Sequence, residues 1–170
     1  MRTAGPEVLA EVEDALKSYF GDYDVYSSEE LLYEEIENFG YHFKGFVDAV
    51  VKVGDTYHLF DWKTCSWGWD SRKKAEKMVT YQLTLYKHFF CQKHNLDPKD
   101  VETHFALLKR TAKKNRVEIF RVTSGAKKTE NALKVLYQAI YNIQKGFSIK
   151  NRLHCLKPYP CSLRNTEHCR

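Results

Sequence analysis

The chain has 170 residues, 43% of them hydrophobic and 14% aromatic, enough for one compact domain with a substantial core but not for a second full one. Nothing approaches the ~18 uninterrupted apolar residues of a membrane span, and MRTAGPEV lacks the basic start and apolar run of a secretory signal, so a soluble, cytoplasmic protein is expected. Net charge is +5, with acids concentrated in the first forty residues and a strongly basic body after them, a distribution suited to a polyanionic partner or to a merely solvated surface.

Pro6, followed by Val8, Leu9, Val12, Leu16, Tyr19 and Phe20, predicts an amphipathic helix ended by Gly21. Residues 30–38, 41–53 and 56–64 read as strands, the last two split by the turn pair Gly54-Asp55. From Ser71 to Asn95 there is neither Gly nor Pro. Ala75, Met78, Val79, Leu83, Tyr86, Phe89 and Phe90 recur there at helical spacing, predicting one long helix. Residues 101–109 and 116–123 are two more strands around the basic stretch Lys109 to Arg116, and a last helix runs from Ser124 to Gly146. The order α-β-β-β-α-β-β-α predicts an α/β fold with a central mixed sheet flanked by helices. Residues 1–147 form the domain, and 148–170 are a basic, Cys-containing tail expected to pack on it.

The second and third strands each carry an aspartate in their most apolar stretch. If Gly54-Asp55 are the central residues of a tight hairpin, Val53 faces Thr56, Val50 faces Leu59, Asp48 faces Asp61 and Phe46 faces Lys63. Asp48, Asp61 and Lys63 then share one face, and Val47, Ala49, Val51, Phe60 and Trp62 occupy the other. Directly opposed like charges destabilise a sheet, and unpaired buried carboxylates are costly. A divalent cation between them removes both problems, and oxygen-only ligands favour a hard ion, Mg²⁺ or Mn²⁺. Lys63 would then orient the attacking water or stabilise charge on phosphorus. The plainer alternative is a buried Asp61–Lys63 ion pair with Asp48 hydrogen-bonded to backbone. Gln82 and Tyr86, four apart, project from one helical face and can reach a common ligand or simply pack.

The ordered set Gly45-x-x-Asp48, Asp61-Trp62-Lys63-Thr64 and Gln82-x-x-x-Tyr86 resembles the PD-(D/E)XK nucleases, most closely the RecB-like branch with its bacteriophage exonucleases and CRISPR-adaptation nucleases. The resemblance implies a restriction-endonuclease-like core and a metal held by Asp48, Asp61 and the carbonyl of Trp62. It also implies Lys63 as the catalytic lysine, with Gln82 and Tyr86 lining the site. The expected activity is a divalent-metal-dependent deoxyribonuclease, an exonuclease of DNA processing or recombination. The alternative is a catalytically weak DNA-binding protein acting with a helicase, recombinase or single-strand-binding protein. The family's early-helix acid has Glu11 and Glu13 as its nearest counterparts here, on the flanks of the apolar face. Cys155, Cys161 and Cys169 resemble three of four iron–sulfur ligands in such nucleases, and with His154 and His168 they could instead bind Zn²⁺ or remain thiols. Trp67, Trp69, Arg72, Lys73 and Lys74 form a loop that could stack a base and hold phosphates, or bury its tryptophans.

Overall fold

A computed structural model describes residues 4–147, 161–163 and 166–167. The elements are α1 (Ala4–Phe20), β1 (Asp24–Ile36), β2 (Tyr41–Val53), β3 (Thr56–Cys65), α2 (Ser71–Lys74), α3 (Lys77–His94), β4 (Val101–Lys109), β5 (Val117–Arg121) and α4 (Ala126–Gln144), with a 3-10 turn at Pro98–Asp100. The chain divides into two compact units, residues 1–135 and 136–170. In the second, the end of α4 is followed by Phe147, whose ring meets Tyr141 edge-on at 6.4 Å. No helix among the described residues is long and apolar enough to cross a membrane.

In the first unit the five strands lie in the order β1-β2-β3-β4-β5. Only β3 and β4 run parallel, because the long α3 carries the chain back across the sheet between them. The other three pairings are antiparallel. Gly54, at φ 58°, supplies the left-handed conformation that the two-residue β2–β3 turn requires, and the ladder runs from Val53↔Thr56 to Ala49↔Phe60, in the register expected. One face of the sheet packs on α1, where Leu16 joins Val51, Phe60 and Ala106, with Val12, Phe20 and Trp62 around them. The other face packs on α3, whose Leu83, Thr84, Tyr86, Phe89 and Phe90 are buried at i, i+3 and i+4 spacing.

Three departures from sequence expectation have local causes. The first strand begins at Asp24 rather than residue 30, because a bulge at Tyr26 and an irregularity at Glu29 break the period-two pattern. The long helix is two: Asp70 caps α2 through the Lys73 N–H at 2.8 Å, Glu76 adopts an extended conformation at ψ 122°, and α3 starts afresh. Met78, expected on the apolar face, is consequently 66% exposed. The third concerns β2. Ala49 and Val51 face α1, yet Phe43 stacks on Phe89 of α3 at 4.2 Å, and a Cβ on Gly45 would lie 2.8 Å from Tyr86 Cε1. The inside-outside alternation therefore reverses between Gly45 and Ala49. Val47 pairs with Glu30, which accepts from Lys93 of α3, so it falls on the α3 side and not the α1 side, and Phe46 pairs with the exposed Leu31 of β1 rather than facing Lys63.

Candidate active site at the strand fork

The reversal in β2 occurs where it parts from β3. The β2–β3 ladder ends at Ala49↔Phe60, one step before Asp48 and Asp61, while β3 continues beside β4 from Asp61↔Phe105 to Cys65↔Lys109. At this fork Asp48 substitutes a side chain for the missing ladder bond, its Oδ2 accepting the Trp62 N–H at 2.7 Å. The pair of aspartates thus stands at the first unladdered step of the hairpin, not inside a closed sheet.

Asp61 is the buried member, 3% exposed, and its neighbours come from β3 and α3. Lys63 Nζ lies 2.6 Å from Asp61 Oδ2 and donates to Gln82 Oε1 at 3.2 Å. Gln82 Nε2 donates to Asp61 Oδ1 at 2.8 Å and to the Tyr86 hydroxyl at 3.0 Å. Helical spacing on α3 therefore delivers Gln82 and Tyr86 to the same carboxylate that strand alternation aligns with Lys63. Gly45 completes the packing, since any larger residue would displace the Tyr86 ring. Burial pushes the Asp61 carboxyl above its ordinary value near 3.8; Lys63 opposes that rise, and the Asp48 charge adds to it.

The other residues singled out from sequence are placed elsewhere. Glu11 accepts the Arg116 N–H at 2.9 Å, and Glu13 pairs with Lys17 at 2.6 Å. Both are on α1, which covers the sheet face away from Asp61, so neither is brought to the site. Trp69, half-buried, meets Phe105 edge-on at 5.3 Å and carries Lys73 over its ring, whereas Trp67 is 76% exposed, so the loop packs one tryptophan against the sheet and presents the other. Cys161 is an exposed free thiol; Cys155 and Cys169 lie outside the described residues. Sequence reasoning missed a second convergence of ligand-type side chains, His58, Glu102 and His104. Its only signal is the Glu102-x-His104 alternation on one strand, with no mark of the register that brings His58 alongside.

Two aspartates and one lysine thus meet at a strand fork, backed by a helix that offers glutamine and tyrosine. A family model of the PD-(D/E)XK nuclease superfamily matches residues 3–166, and the chain belongs to that superfamily. No curated protein matches it. Among solved structures it resembles a "putative exonuclease" from Eubacterium rectale at 15% identity and TM-score 0.59, over 94% of this chain and 63% of that one. It also matches the structure of SSO0001 at 15% identity and TM-score 0.46, over 82% of this chain and 59% of that one. The chain thus spans less than two thirds of either protein's length, and the likeness extends to the fold.

Proposed function

We propose that the chain is a divalent-metal-dependent deoxyribonuclease that degrades DNA from its ends. The observation that carries this is the convergence of Asp48, Asp61, Lys63 and Gln82 on one point of the fork. Residues there suit a Mg²⁺ or Mn²⁺ ion: Asp61 Oδ2 is buried with no hydrogen bond of good geometry and faces the Lys63 ammonium at 2.6 Å. Asp48, Asp61 and the carbonyl of Trp62 would hold the ion. When bound, such an ion supplies positive charge that stabilises phosphoryl oxygens and makes a nearby water more acidic.

The chain's own groups do the rest. Gln82 fixes Asp61 through one amide hydrogen, and its carbonyl oxygen steadies the Lys63 ammonium. Lys63, one third exposed, is free to swing from Asp61 toward an attacking water or a phosphate oxygen once another cation neutralises the carboxylate. DNA as substrate is supported by the basic body and by a groove beside the start of α3 lined by Lys74, Lys77, Tyr81, Arg121, Lys127 and Lys128. Attack from ends is supported by the description of the Eubacterium rectale protein. A helicase, recombinase or single-strand-binding protein would fit as the partner that presents those ends.

One observation favours a second reading, a DNA-binding protein with little catalysis: neither Glu11 nor Glu13 of α1 reaches the fork. Linear and covalently closed DNA incubated with Mg²⁺ or Mn²⁺ separates the two. The wild type should consume linear DNA and spare closed circles, with Asp61→Ala and Lys63→Ala slower by roughly 100-fold or more. Salt-sensitive binding with no cleavage by any of the three would select the second reading.

A further inference from the structure

We propose that His58, Glu102 and His104 form a second metal site, selective for a zinc-class ion, on the sheet face opposite Asp61. It does not depend on the nuclease reading. Strand alternation separates it from the fork: His58 and Phe60 alternate with Leu59 and Asp61 on β3, and Glu102 and His104 occupy the matching face of β4 through the pairing His58↔Glu102. Phe20 of α1 closes over the site, its ring 4.5 Å from His58 and 5.5 Å from His104.

Three donor atoms converge there. His58 Nδ1 and His104 Nε2 are 3.0 Å apart, and Glu102 Oε2 lies 3.7 Å from the first and 3.8 Å from the second. Ligands at ~2.0–2.1 Å from a tetrahedral zinc ion are separated by about 3.3–3.4 Å, so the triangle needs only tenths of an ångström of adjustment. Arg121 Nη2 holds Glu102 Oε1 at 2.8 Å, which fixes the carboxylate and leaves Oε2 as the oxygen aimed at the histidines.

His104 is 1% exposed and its Nδ1 has no hydrogen-bond partner. Its Nε2 has His58 Nδ1 as its neighbour at 3.0 Å, so without an ion one ring donates to the other, and with one both nitrogens can turn to it. Glu102, partly exposed, gives an ion its route in and leaves a fourth position for water. A set of two imidazoles and one carboxylate favours zinc-class ions over the hard Mg²⁺ and Mn²⁺ suited to the two aspartates.

The test uses the full chain, stripped with chelator and titrated with Co²⁺ and then Zn²⁺. Asp61→Asn should bind one equivalent of Co²⁺ with visible d–d bands and no near-ultraviolet thiolate charge-transfer band, which excludes the C-terminal cysteines, and wild type should show the same bands whether or not the fork takes up a further equivalent. Zn²⁺ should displace it and raise the melting temperature of both proteins. Glu102→Gln and His58→Gln should lose that equivalent and the thermal shift. Absence of the equivalent from Asp61→Asn, a thiolate band accompanying it, or its retention by the two ligand variants would each overturn the proposal. Should both variants fail to fold, X-ray absorption on the zinc-loaded wild type decides: a nitrogen and oxygen shell with imidazole scattering supports the site, and a sulfur shell, or no bound zinc, overturns it.

Discussion

Asp48 Oδ2 accepts the backbone N–H of Trp62 at 2.7 Å, so the carboxylate that would hold a metal also closes the gap left where β2 and β3 separate. The two roles can be divided by substitution. Asp48→Asn keeps an oxygen for the Trp62 amide and should fold within about 1 kcal/mol of wild type while losing Mn²⁺ affinity. Asp48→Ala loses both and should cost roughly 1–3 kcal/mol. Urea unfolding and Mn²⁺ titration by calorimetry measure the two effects; equal stabilities for Asn and Ala would remove the structural role.

Asp61 makes stability depend on pH. Its folded carboxyl titrates above the ordinary value near 3.8, so between the unfolded and folded values the folded chain binds more protons. Stability therefore falls as pH rises through that window and stays reduced above the folded value. Asp61→Asn should be more stable than wild type at pH 7 without divalent metal, and the advantage should vanish as pH drops below the unfolded value. Mn²⁺ should narrow the gap at pH 7 by stabilising wild type alone. Thermal unfolding from acid to neutral pH checks the sign; an advantage that grows on acidification would contradict it.

Gly45 is required by the Tyr86 ring, which would stand 2.8 Å from any added Cβ. Gly45→Ala should destabilise by about 1–3 kcal/mol through overpacking, and should slow cleavage because Tyr86 no longer supports Gln82. Combining it with Tyr86→Leu should recover part of the stability, giving a coupling of roughly 1 kcal/mol in a double-mutant cycle. Additive effects would show that the ring does not transmit the strain.

Glu29 sits at φ 51°, between the pairs Ser28↔Ala49 and Glu30↔Val47, and hence across from Asp48. A left-handed conformation costs a non-glycine residue about 1–2 kcal/mol. Glu29→Gly should accordingly melt at a higher temperature than Glu29→Ala, the reverse of the order in an ordinary strand. Calorimetry on the two variants decides it, and Ala above Gly would mean the backbone relaxes without cost.

Much of the site was legible in one dimension. The Gly54-Asp55 turn set the β2–β3 register, alternation aligned Asp61 with Lys63, and helical spacing aligned Gln82 with Tyr86, because each depends only on neighbours a few residues apart. Where the ladder stops was not legible. The reversal of β2 near Asp48 answers to the rings of Phe89 and Tyr86, some forty residues away, and the same twist turned two opposed charges into an open fork.

The sequence by itself determined the element order, the hairpin register and the identity of the acidic, basic and amide groups, since local periodicity and turn chemistry suffice for these. Only the tertiary structure decided that α1 lies behind the sheet, removing Glu11 and Glu13 from the site, and that His58 meets Glu102 and His104. Both results depend on which faces pack together and on parallel pairing across the β3–α3–β4 crossover, long-range choices made by burial of the whole apolar surface rather than by any short stretch of chain.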